Sequence, residues 1–266
     1  NHYGAFSQKI WKNNIVASSY EPGSIFKPIV AAAALDKELA RPQDVYFCEN
    51  GKLKIGNATI GEASDHKFGW MTMNDIIAKS SNIGVVKIAQ QVGKKSFYEY
   101  IRKFGFGEKS GLSLPGESAG QLKAQKNWSN LSLASISFGH EIAVTPIQMV
   151  SALSAIANGG NLMEPHITKA LIKNGKVVQQ FKPKKIHRVI SEKASLQMVE
   201  ILKSVVKTGT GKKAALDGFD VAGKTGTAQK YNMETRSYSG TEYISSFIGF
   251  APADSPRLVI LVMIDN

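Results

Sequence analysis

The residues best placed to do chemistry together are a serine and a lysine three positions apart, Ser24 and Lys27. A serine hydroxyl is a poor nucleophile at neutral pH and needs an adjacent base. The Ala-rich apolar stretch that follows, to Leu35, predicts a buried helix. Positions three apart share a helix face, so the Lys27 amine can reach the Ser24 hydroxyl. Taken alone, the pair is explained better by a helix-capping serine and a surface lysine.

A second candidate is the tripeptide Ser80-Ser81-Asn82, which lies at the predicted junction of two helices. A break between helices can direct two side chains into one cleft. Ser80 could then relay a proton, and Asn82 could hold a substrate amide through both its donor and its acceptor. Ser and Asn are also ordinary helix-end residues, and by itself that explanation is the better one.

A third candidate is Lys224-Thr225-Gly226-Thr227, which follows a strand-like approach. A strand places Lys224 and Gly226 on one face and Thr225 and Thr227 on the other. Gly226 removes a side chain where a substrate backbone could lie alongside. The Thr227 backbone N–H could act as an oxyanion donor, paired with the N–H of Ser24.

The chain contains a second copy of the third motif, Lys207-Thr208-Gly209. This copy lies at the end of a predicted helix that Ser191 caps, where Gly209 is typical of a helix C-cap and Lys207 of a last-turn cation. The context therefore favours the copy that begins at Lys224.

The surrounding elements predict an α+β fold. Thr72-Met-Asn-Asp75 indicates a capping box and a helix to about Lys79. Further predicted helices follow Asn82, Ser96, Thr145 and Ser191, and strands are predicted at 166–181, 219–229, 243–250 and 257–264. Helices in the middle and strands at the end indicate an antiparallel sheet flanked by helices, with a largely helical subdomain inserted. The last strand is expected to be buried.

Composition limits the function classes. The 266 residues carry 33 Lys and Arg against 21 Asp and Glu, a net charge of +12. The charge is dispersed, and its densest cluster, 182–188, indicates a solvated loop without the interleaved aromatics of a single-strand nucleic-acid platform. Cys48 is the one cysteine and is expected to be a buried small hydrophobe. The five histidines have no metal-ligand spacing, so we expect no metal and no cofactor.

The three motifs together, in this order, are far more specific than any one of them. With their flanks the chain resembles the transpeptidase domain of class B penicillin-binding proteins, and especially the division-specific transpeptidases. The resemblance covers essentially the whole chain. It rests on these flanking segments: Glu21–Pro28, Ser137-Phe-Gly139, Val144-Thr-Pro146, Ala157–Gly160, Ala222–Gln229 and Ser246–Pro252.

The resemblance implies a β-lactamase/transpeptidase-like fold and a peptidoglycan D,D-transpeptidase. Ser24 would form an acyl-enzyme with Lys27 as base, and Ser80 and Lys224 would move protons. Asn82, Thr225, Gly226 and Thr227 would bind the substrate. Peptidoglycan stem peptides would be donor and acceptor, and β-lactams would acylate the serine.

The resemblance also implies a setting. We expect one domain over 1–266, cropped at both ends, because the family has sheet strands before residue 1 and a helix after residue 266. A membrane anchor and a pedestal domain would lie outside it. The domain would work at the extracytoplasmic face of the bacterial cytoplasmic membrane, in the periplasm, with a glycan polymerase and division proteins as partners and without nucleic acid.

Two alternatives remain open. A β-lactamase of class A would carry a Glu that activates the deacylating water, and between 105 and 165 only Glu117 and Glu141 are loose candidates. A non-enzymatic β-lactam sensor would keep the reactive serine without turning over peptide. A basic nucleic-acid-binding protein is disfavoured, because no matching motif is present.

Overall fold

The computed structural model describes residues 11–112, 114–129, 131–232 and 237–265. The helices among these residues are α1 (Asn14–Ala17), α2 (Lys27–Asp36), α3 (Met73–Ala78), α4 (Asn82–Val92), α5 (Lys94–Lys103), α6 (Ser132–Ser137), α7 (Pro146–Ala157) and α8 (Glu192–Lys207). The strands are β1 (Val45–Phe47), β2 (Lys52–Ile55), β3 (Ala58–Gly61), β4 (Trp70–Thr72), β5 (Gln121–Leu122), β6 (Ile142–Ala143), β7 (Asn161–Glu164), β8 (Ala170–Lys173), β9 (Lys176–Gln180), β10 (Lys184–Arg188), β11 (Ala222–Asn232), β12 (Ser237–Ala251) and β13 (Leu258–Asp265).

The three long C-terminal strands form an antiparallel sheet in the order β11-β12-β13. Lys224 lies opposite Ile248 and Gly226 opposite Ser246, so the motif strand is fully paired along the segment that carries the chemistry. The other described strands pair in twos, as small ribbons between the helices. Strands of eight residues or more with a continuous ladder give the motif strand a rigid support, on which side chains alternate between the two faces.

Helix α2 lies at the centre of the apolar core. Every residue from Lys27 to Leu35 is buried, and the helix packs against α4, α5 and α8. Its four consecutive alanines, 31–34, are completely buried, and such small side chains let neighbouring helices approach closely. The helix that begins at the candidate base is therefore held on several sides by packing.

Several helix starts follow the predicted capping chemistry. Thr72, Thr145 and Ser191 accept hydrogen bonds from the backbone of the first turns of α3, α7 and α8. The capping box is complete at Thr145, whereas at Thr72 only the cap itself forms, because the Asp75 carboxylate accepts from Thr72 Oγ1. The predicted cap at Ser96 is wrong, because α5 begins at Lys94 after a glycine with positive φ. A glycine that turns the chain sharply can replace a side-chain cap.

Two further expectations are corrected. The basic cluster is not a loop throughout, since Lys184–Arg188 form an exposed strand paired with β7. The final strand is not buried on both faces. It forms an edge of the sheet, and alternate side chains from Leu258 to Ile264 are more than half exposed. Alternation arises because successive strand residues point to opposite faces, and only one face packs against the helices.

Candidate active site

Ser24 and Lys27 lie on one tight turn at the entry to α2. Residues Gly23–Phe26 form a 3-10 helix, and the Lys27 backbone N–H donates to the carbonyl of Ser24. Side chains at i and i+3 eclipse each other in this geometry. The sequence prediction that both residues share a face is confirmed. Lys27 is completely buried, whereas Ser24 is partly exposed, which is compatible with its predicted role as a nucleophile.

Close backbone contacts hold this turn in place. Gly23 has φ +56°, and its N–H donates to the Gly139 carbonyl at 3.1 Å. A Cβ on Gly139 would overlap the backbone of Gly23, so the Ser137-Phe-Gly139 segment supports the nucleophile turn from one side. On the other side a Cβ on Gly226 would lie 2.9 Å from Ile25 Cγ2 and 2.6 Å from Ser246 Oγ. Gly226 thus lets the turn dock against the motif strand.

Ser80 joins α3 to α4 in an unusual backbone conformation. Its φ is +63°, in the left-handed region, which costs a residue with a side chain about 1 kcal/mol or more. Strain of this kind persists where the surrounding structure imposes it, and it is common at functional sites. Here it presents both the carbonyl and the hydroxyl of Ser80 to the Lys27 amine.

The Lys27 amine connects the first two motifs. Its Nζ donates to Ser80 O at 2.5 Å, to Ser80 Oγ at 3.1 Å and to Asn82 Oδ1 at 2.8 Å. These acceptors match the three donors of an ammonium group. No hydrogen bond joins Lys27 Nζ to Ser24 Oγ in the described part of the chain. The base and the nucleophile share a turn, but the proton-accepting contact between them is not formed in this state.

Lys224 brings the third motif to the same point. It is completely buried, and its Nζ donates to Ser80 Oγ at 2.9 Å and to Thr225 O at 2.9 Å. The hydroxyl of Ser80 therefore lies between two lysine amines. A hydroxyl can accept one proton while it donates another, so this arrangement can pass a proton between the lysines.

The electrostatics of the cluster favour neutral amines. Burial lowers the pKa of Lys27 to about 7, although the Glu62 carboxylate acts in the opposite direction. Burial, and then the positive charge of Lys27, lower the pKa of Lys224 well below its ordinary value. Two adjacent amines that are completely buried do not both hold a proton easily. A base poised near neutrality is what general base catalysis requires.

Asn82 is the first residue of α4 and already has partners. Its Oδ1 accepts from Lys27, and its Nδ2 donates to Gly61 O at 3.0 Å. An amide nitrogen has two N–H groups and an amide oxygen two lone pairs, so one of each remains for a ligand. The predicted donor and acceptor roles are thus compatible with a side chain that the protein holds in place.

The motif threonines alternate with Lys224 and Gly226 along β11, and Thr225 Oγ1 still lies 3.5 Å from Lys224 Nζ. Thr225 is partly exposed and Thr227 is exposed, in agreement with the predicted alternation. Thr225 Oγ1 lies 2.6 Å from Thr210 Oγ1. Thr210 follows the second motif copy, and sequence reasoning missed it because only the fold brings residues 210 and 225 together.

The second motif copy lies outside the cluster, as predicted from its helix-end position. Helix α8 ends at Lys207, whose Nζ is 3.3 Å from Asp220 Oδ1. Gly209 is needed for a close approach, since a Cβ there would overlap the carbonyl oxygen of Ala78. This contact places the segment directly behind the turn that carries Ser80.

The cysteine, the two glutamates and the histidine that the sequence analysis considered lie outside the three motifs. Cys48 is buried and free. Glu117 accepts from Ser110 N at 2.7 Å, and Glu141 Oε2 lies 3.1 Å from Lys123 Nζ. Burial lowers the pKa of His140 to about 4, and Lys27 adds to the effect. No group of metal-ligating side chains occurs among the described residues, and none of their helices combines the length and apolar character needed to cross a membrane.

A serine and a buried lysine on one turn, with a Ser-x-Asn corner beside a Lys-Thr-Gly strand, form the motif set of penicillin-binding proteins and β-lactamase-like serine enzymes. The model of the penicillin-binding protein transpeptidase domain matches residues 2–266, and the chain belongs to this family.

Individual relatives support the same family assignment. The chain is 39% identical over 267 residues to stage V sporulation protein D of Bacillus subtilis, covering 99% of this chain and 41% of that protein. It is 35% identical to a probable peptidoglycan D,D-transpeptidase of Pseudomonas aeruginosa, covering 100% of this chain and 45% of that protein.

Solved structures of the family support the fold. Penicillin-binding protein 3 of Mycobacterium tuberculosis in complex with ampicillin matches with a TM-score of 0.89 and 36% identity, over 96% of this chain and 57% of that chain. The expected fold class is confirmed. The chain spans about two fifths of the length of the curated relatives it matches first.

Proposed function

We propose that this chain is the catalytic domain of a peptidoglycan D,D-transpeptidase that works through a Ser24 acyl-enzyme and is blocked by β-lactams. The observation that carries the proposal is the junction of the three motifs. Ser24 lies on the turn of Lys27, and the amines of Lys27 and Lys224 both bind the hydroxyl of Ser80. Relatives named peptidoglycan D,D-transpeptidases and a relative bound to ampicillin support the same chemistry.

In the first half-reaction, neutral Lys27 takes the proton of Ser24 while Oγ attacks the penultimate D-alanine carbonyl of a stem peptide. The C–O bond forms and the C–N bond to the terminal D-alanine breaks. The leaving nitrogen needs a proton, which Lys27 and Lys224 can supply through the hydroxyl of Ser80. The backbone N–H groups of Ser24 and Thr227 would bind the oxyanion.

In the second half-reaction, the amine of a neighbouring stem peptide attacks the ester carbonyl. The amine loses a proton to a neutral lysine, the new amide bond forms, and Ser24 regains its proton as the ester bond breaks. Asn82 would hold the donor peptide, and the hydroxyls of Thr225 and Thr227 would bind its terminal carboxylate. Gly226 would contribute by keeping the strand close to the nucleophile turn.

The setting is part of the proposal. A septal role, in the division-specific branch of the family, would bring a glycan polymerase and other division proteins as partners. The domain would act at the extracytoplasmic face of the cytoplasmic membrane, held by an N-terminal anchor. Resemblance to that branch supports this setting.

The β-lactamase alternative requires a base for hydrolytic water. Of the two glutamates in question, Glu117 is held by Ser110 in a loop, and Glu141 pairs with Lys123 and accepts from Ser132. Carboxylates engaged in this way are poor candidates for a free general base. We therefore expect slow deacylation by water.

Intact mass after incubation with a penicillin tests the proposal. We expect one added penicillin mass on Ser24, located by peptide mapping, and no addition in the Ser24→Ala variant. The adduct should persist for many minutes, because neither Glu117 nor Glu141 is a good candidate for the base that would activate hydrolytic water. With a thioester donor, an acceptor amine should release the acyl group faster than water does.

Each alternative has its own outcome. A label on another serine, or none on the folded protein, would refute the assignment of the nucleophile. Sustained penicillin hydrolysis at about ten turnovers per second, an ordinary enzymatic rate, would indicate a β-lactamase. Stable acylation without any consumption of donor would indicate the sensor.

A further inference from the structure

Glu62 is a buried carboxylate for which the sequence motifs give no role. It follows β3, and its relative exposure is only 9%. Its Oε1 accepts from Ser81 Oγ at 2.5 Å and from Ile83 N at 3.3 Å, and its Oε2 accepts from Asn82 N at 2.6 Å. Three donors from one short segment converge on a single side chain from elsewhere in the chain.

These contacts fix the corner that presents Ser80 and Asn82. The donors include the first backbone N–H groups of α4, which have no partner within a helix. Ser81 also caps this helix, since its Oγ accepts from Gly84 N at 2.9 Å. An acidic side chain at a helix N-terminus is stabilised by the unpaired N–H groups and by the helix dipole. The strained backbone at Ser80 is thus braced immediately on its C-terminal side.

Asn82 connects the Glu62 carboxylate to the cluster of amines. The backbone N–H of Asn82 donates to Glu62, while its side-chain oxygen accepts from Lys27. Charged and titratable groups around Lys27 come from three elements: Glu62 after β3, Lys224 on β11, and His140 after α6. His140 is held neutral by burial, so its charge does not compete near pH 7. Glu62 is the negative partner in this set.

We propose that Glu62 is a positioning residue that braces the Ser80-Ser81-Asn82 corner and, through its charge, sets the pH at which Lys27 loses its proton and becomes the base for Ser24. The proposal rests on the proposed function, in which Lys27 activates the nucleophile. Without Glu62, the two buried lysines would lose the carboxylate that favours the protonated form of Lys27.

The direction of the effect follows from electrostatics. Burial favours the neutral form of Lys27, and the Glu62 carboxylate favours the protonated form. Removal of the negative charge therefore lowers the pKa of Lys27 further. Lys27 is active as a base when neutral, so the rise of the acylation rate with pH should move to lower pH.

The test is the second-order rate of acylation by a penicillin from pH 5 to 9, measured on the full chain. Glu62→Gln removes the charge and keeps the shape. Glu62→Asp keeps the charge. Glu49→Gln is the matched control, because Glu49 pairs with Lys87 of α4 and accepts none of the hydrogen bonds described for the Ser80-Ser81-Asn82 corner. Glu62→Ala is a second charge-free variant, in which water can enter and accept from the freed N–H groups.

In the charge-free variants we expect the rise of the acylation rate with pH, the acid limb of the profile, to move to lower pH by about one unit. This is the scale of losing a nearby charge. At pH 6 the rate, taken relative to each variant's own plateau, should then rise by about fivefold. Glu62→Asp and Glu49→Gln should keep the wild-type limb. A purely structural role would lower the plateau or the melting temperature and leave the limb in place.

Three outcomes would overturn the proposal. One is an unchanged limb in folded Glu62→Gln. Another is an equal shift in Glu49→Gln. The third is failure of both charge-free variants to fold while Glu62→Asp folds, which would make Glu62 a folding residue only. Wild-type protein that is not acylated at any pH would instead refute the proposed function, so the two failures are distinguishable.

Discussion

Replacing Lys224 with methionine separates the catalytic contribution of this residue from its effect on stability. Methionine has nearly the length of lysine but no charge and no N–H donor. In the structure Lys224 Nζ donates to Ser80 Oγ and to Thr225 O, both at 2.9 Å. The change removes both contacts and leaves Ser80 with Lys27 as its remaining amine partner in the cluster.

The expected loss can be worked out from these contacts. A hydrogen bond from a charged or strongly polar donor in a buried site is worth about 1.5 to 3 kcal/mol. Loss of a preorganised electrostatic contact in an active site costs about 100-fold or more in rate. We therefore expect acylation by penicillin to fall by about 100-fold or more in Lys224→Met.

The same substitution, which lowers the acylation rate, should not lower the stability of the folded protein. Burial and the charge of Lys27 lower the pKa of Lys224, so the folded state holds its proton poorly and stability is lost relative to an apolar side chain. Replacement of a buried ion pair by hydrophobic groups of similar volume is often neutral or stabilises a protein by about 1 to 4 kcal/mol, because the desolvation cost of the charges disappears. A buried amine carries the same kind of desolvation cost. We expect Lys224→Met to unfold at an equal or higher denaturant concentration than the wild type.

Stopped-flow acylation with a chromogenic β-lactam gives the rate, and urea unfolding gives the stability. The chain supplies its own control in Lys207, the lysine of the second motif copy, which is paired with the half-exposed Asp220. An exposed ion pair contributes at most about 1 kcal/mol, so Lys207→Met should change acylation by less than about twofold. A loss below about tenfold in Lys224→Met, or equal losses in the two variants, would refute the reasoning.

Two further predictions follow from the same cluster. The pKa of Lys27 is about 7 in the folded protein against an ordinary value of 10.5. Between these two pH values the unfolded chain binds more protons than the folded protein does. The free energy of unfolding should therefore rise from pH 7 to pH 10 by a few kcal/mol. Lys27→Met should be more stable than wild type at pH 7 in urea unfolding, with a difference that shrinks toward pH 10; a constant difference would contradict the pKa shift. Thr210→Val should weaken capture of carboxylate-bearing penicillins by about tenfold through loss of the hydrogen bond to Thr225, and Thr210→Ser should restore it, whereas Thr208→Val, at an exposed helix end, should have no effect on acylation kinetics. Equal losses in the two valine variants would refute a positioning role for Thr210.

The sequence predicted the candidate site residues because each motif is a short local pattern. The i, i+3 spacing placed Ser24 and Lys27 on one turn, and strand alternation separated Lys224 from Thr225. Caps at Thr72, Thr145 and Ser191 fixed where helices begin, since a capping side chain bonds the backbone only two or three residues away. Helix context alone also distinguished the two Lys-Thr-Gly copies.

Local pattern was less informative where packing decides the outcome. The last strand has an apolar sequence on both faces, yet the described helices cover only one of them. The basic segment Lys184–Arg188 became a strand because β7 provides a partner, which charge composition does not reveal. Ser96 failed as a cap because Gly93 turned the chain earlier.

Taken alone, then, the sequence predicted the fold class and the family correctly. It also predicted a chemistry for Ser24 and the motifs that surround it, which the acylation experiments test. Only the tertiary structure showed that the Lys27 and Lys224 amines meet at one hydroxyl, that Glu62 accepts hydrogen bonds from Ser81 and Asn82 beside them, and that Thr210 reaches Thr225. These contacts join residues 15 to 144 positions apart. Burial and the electrostatic field at an amine depend on every group packed around it, and no local spacing in the chain encodes that sum.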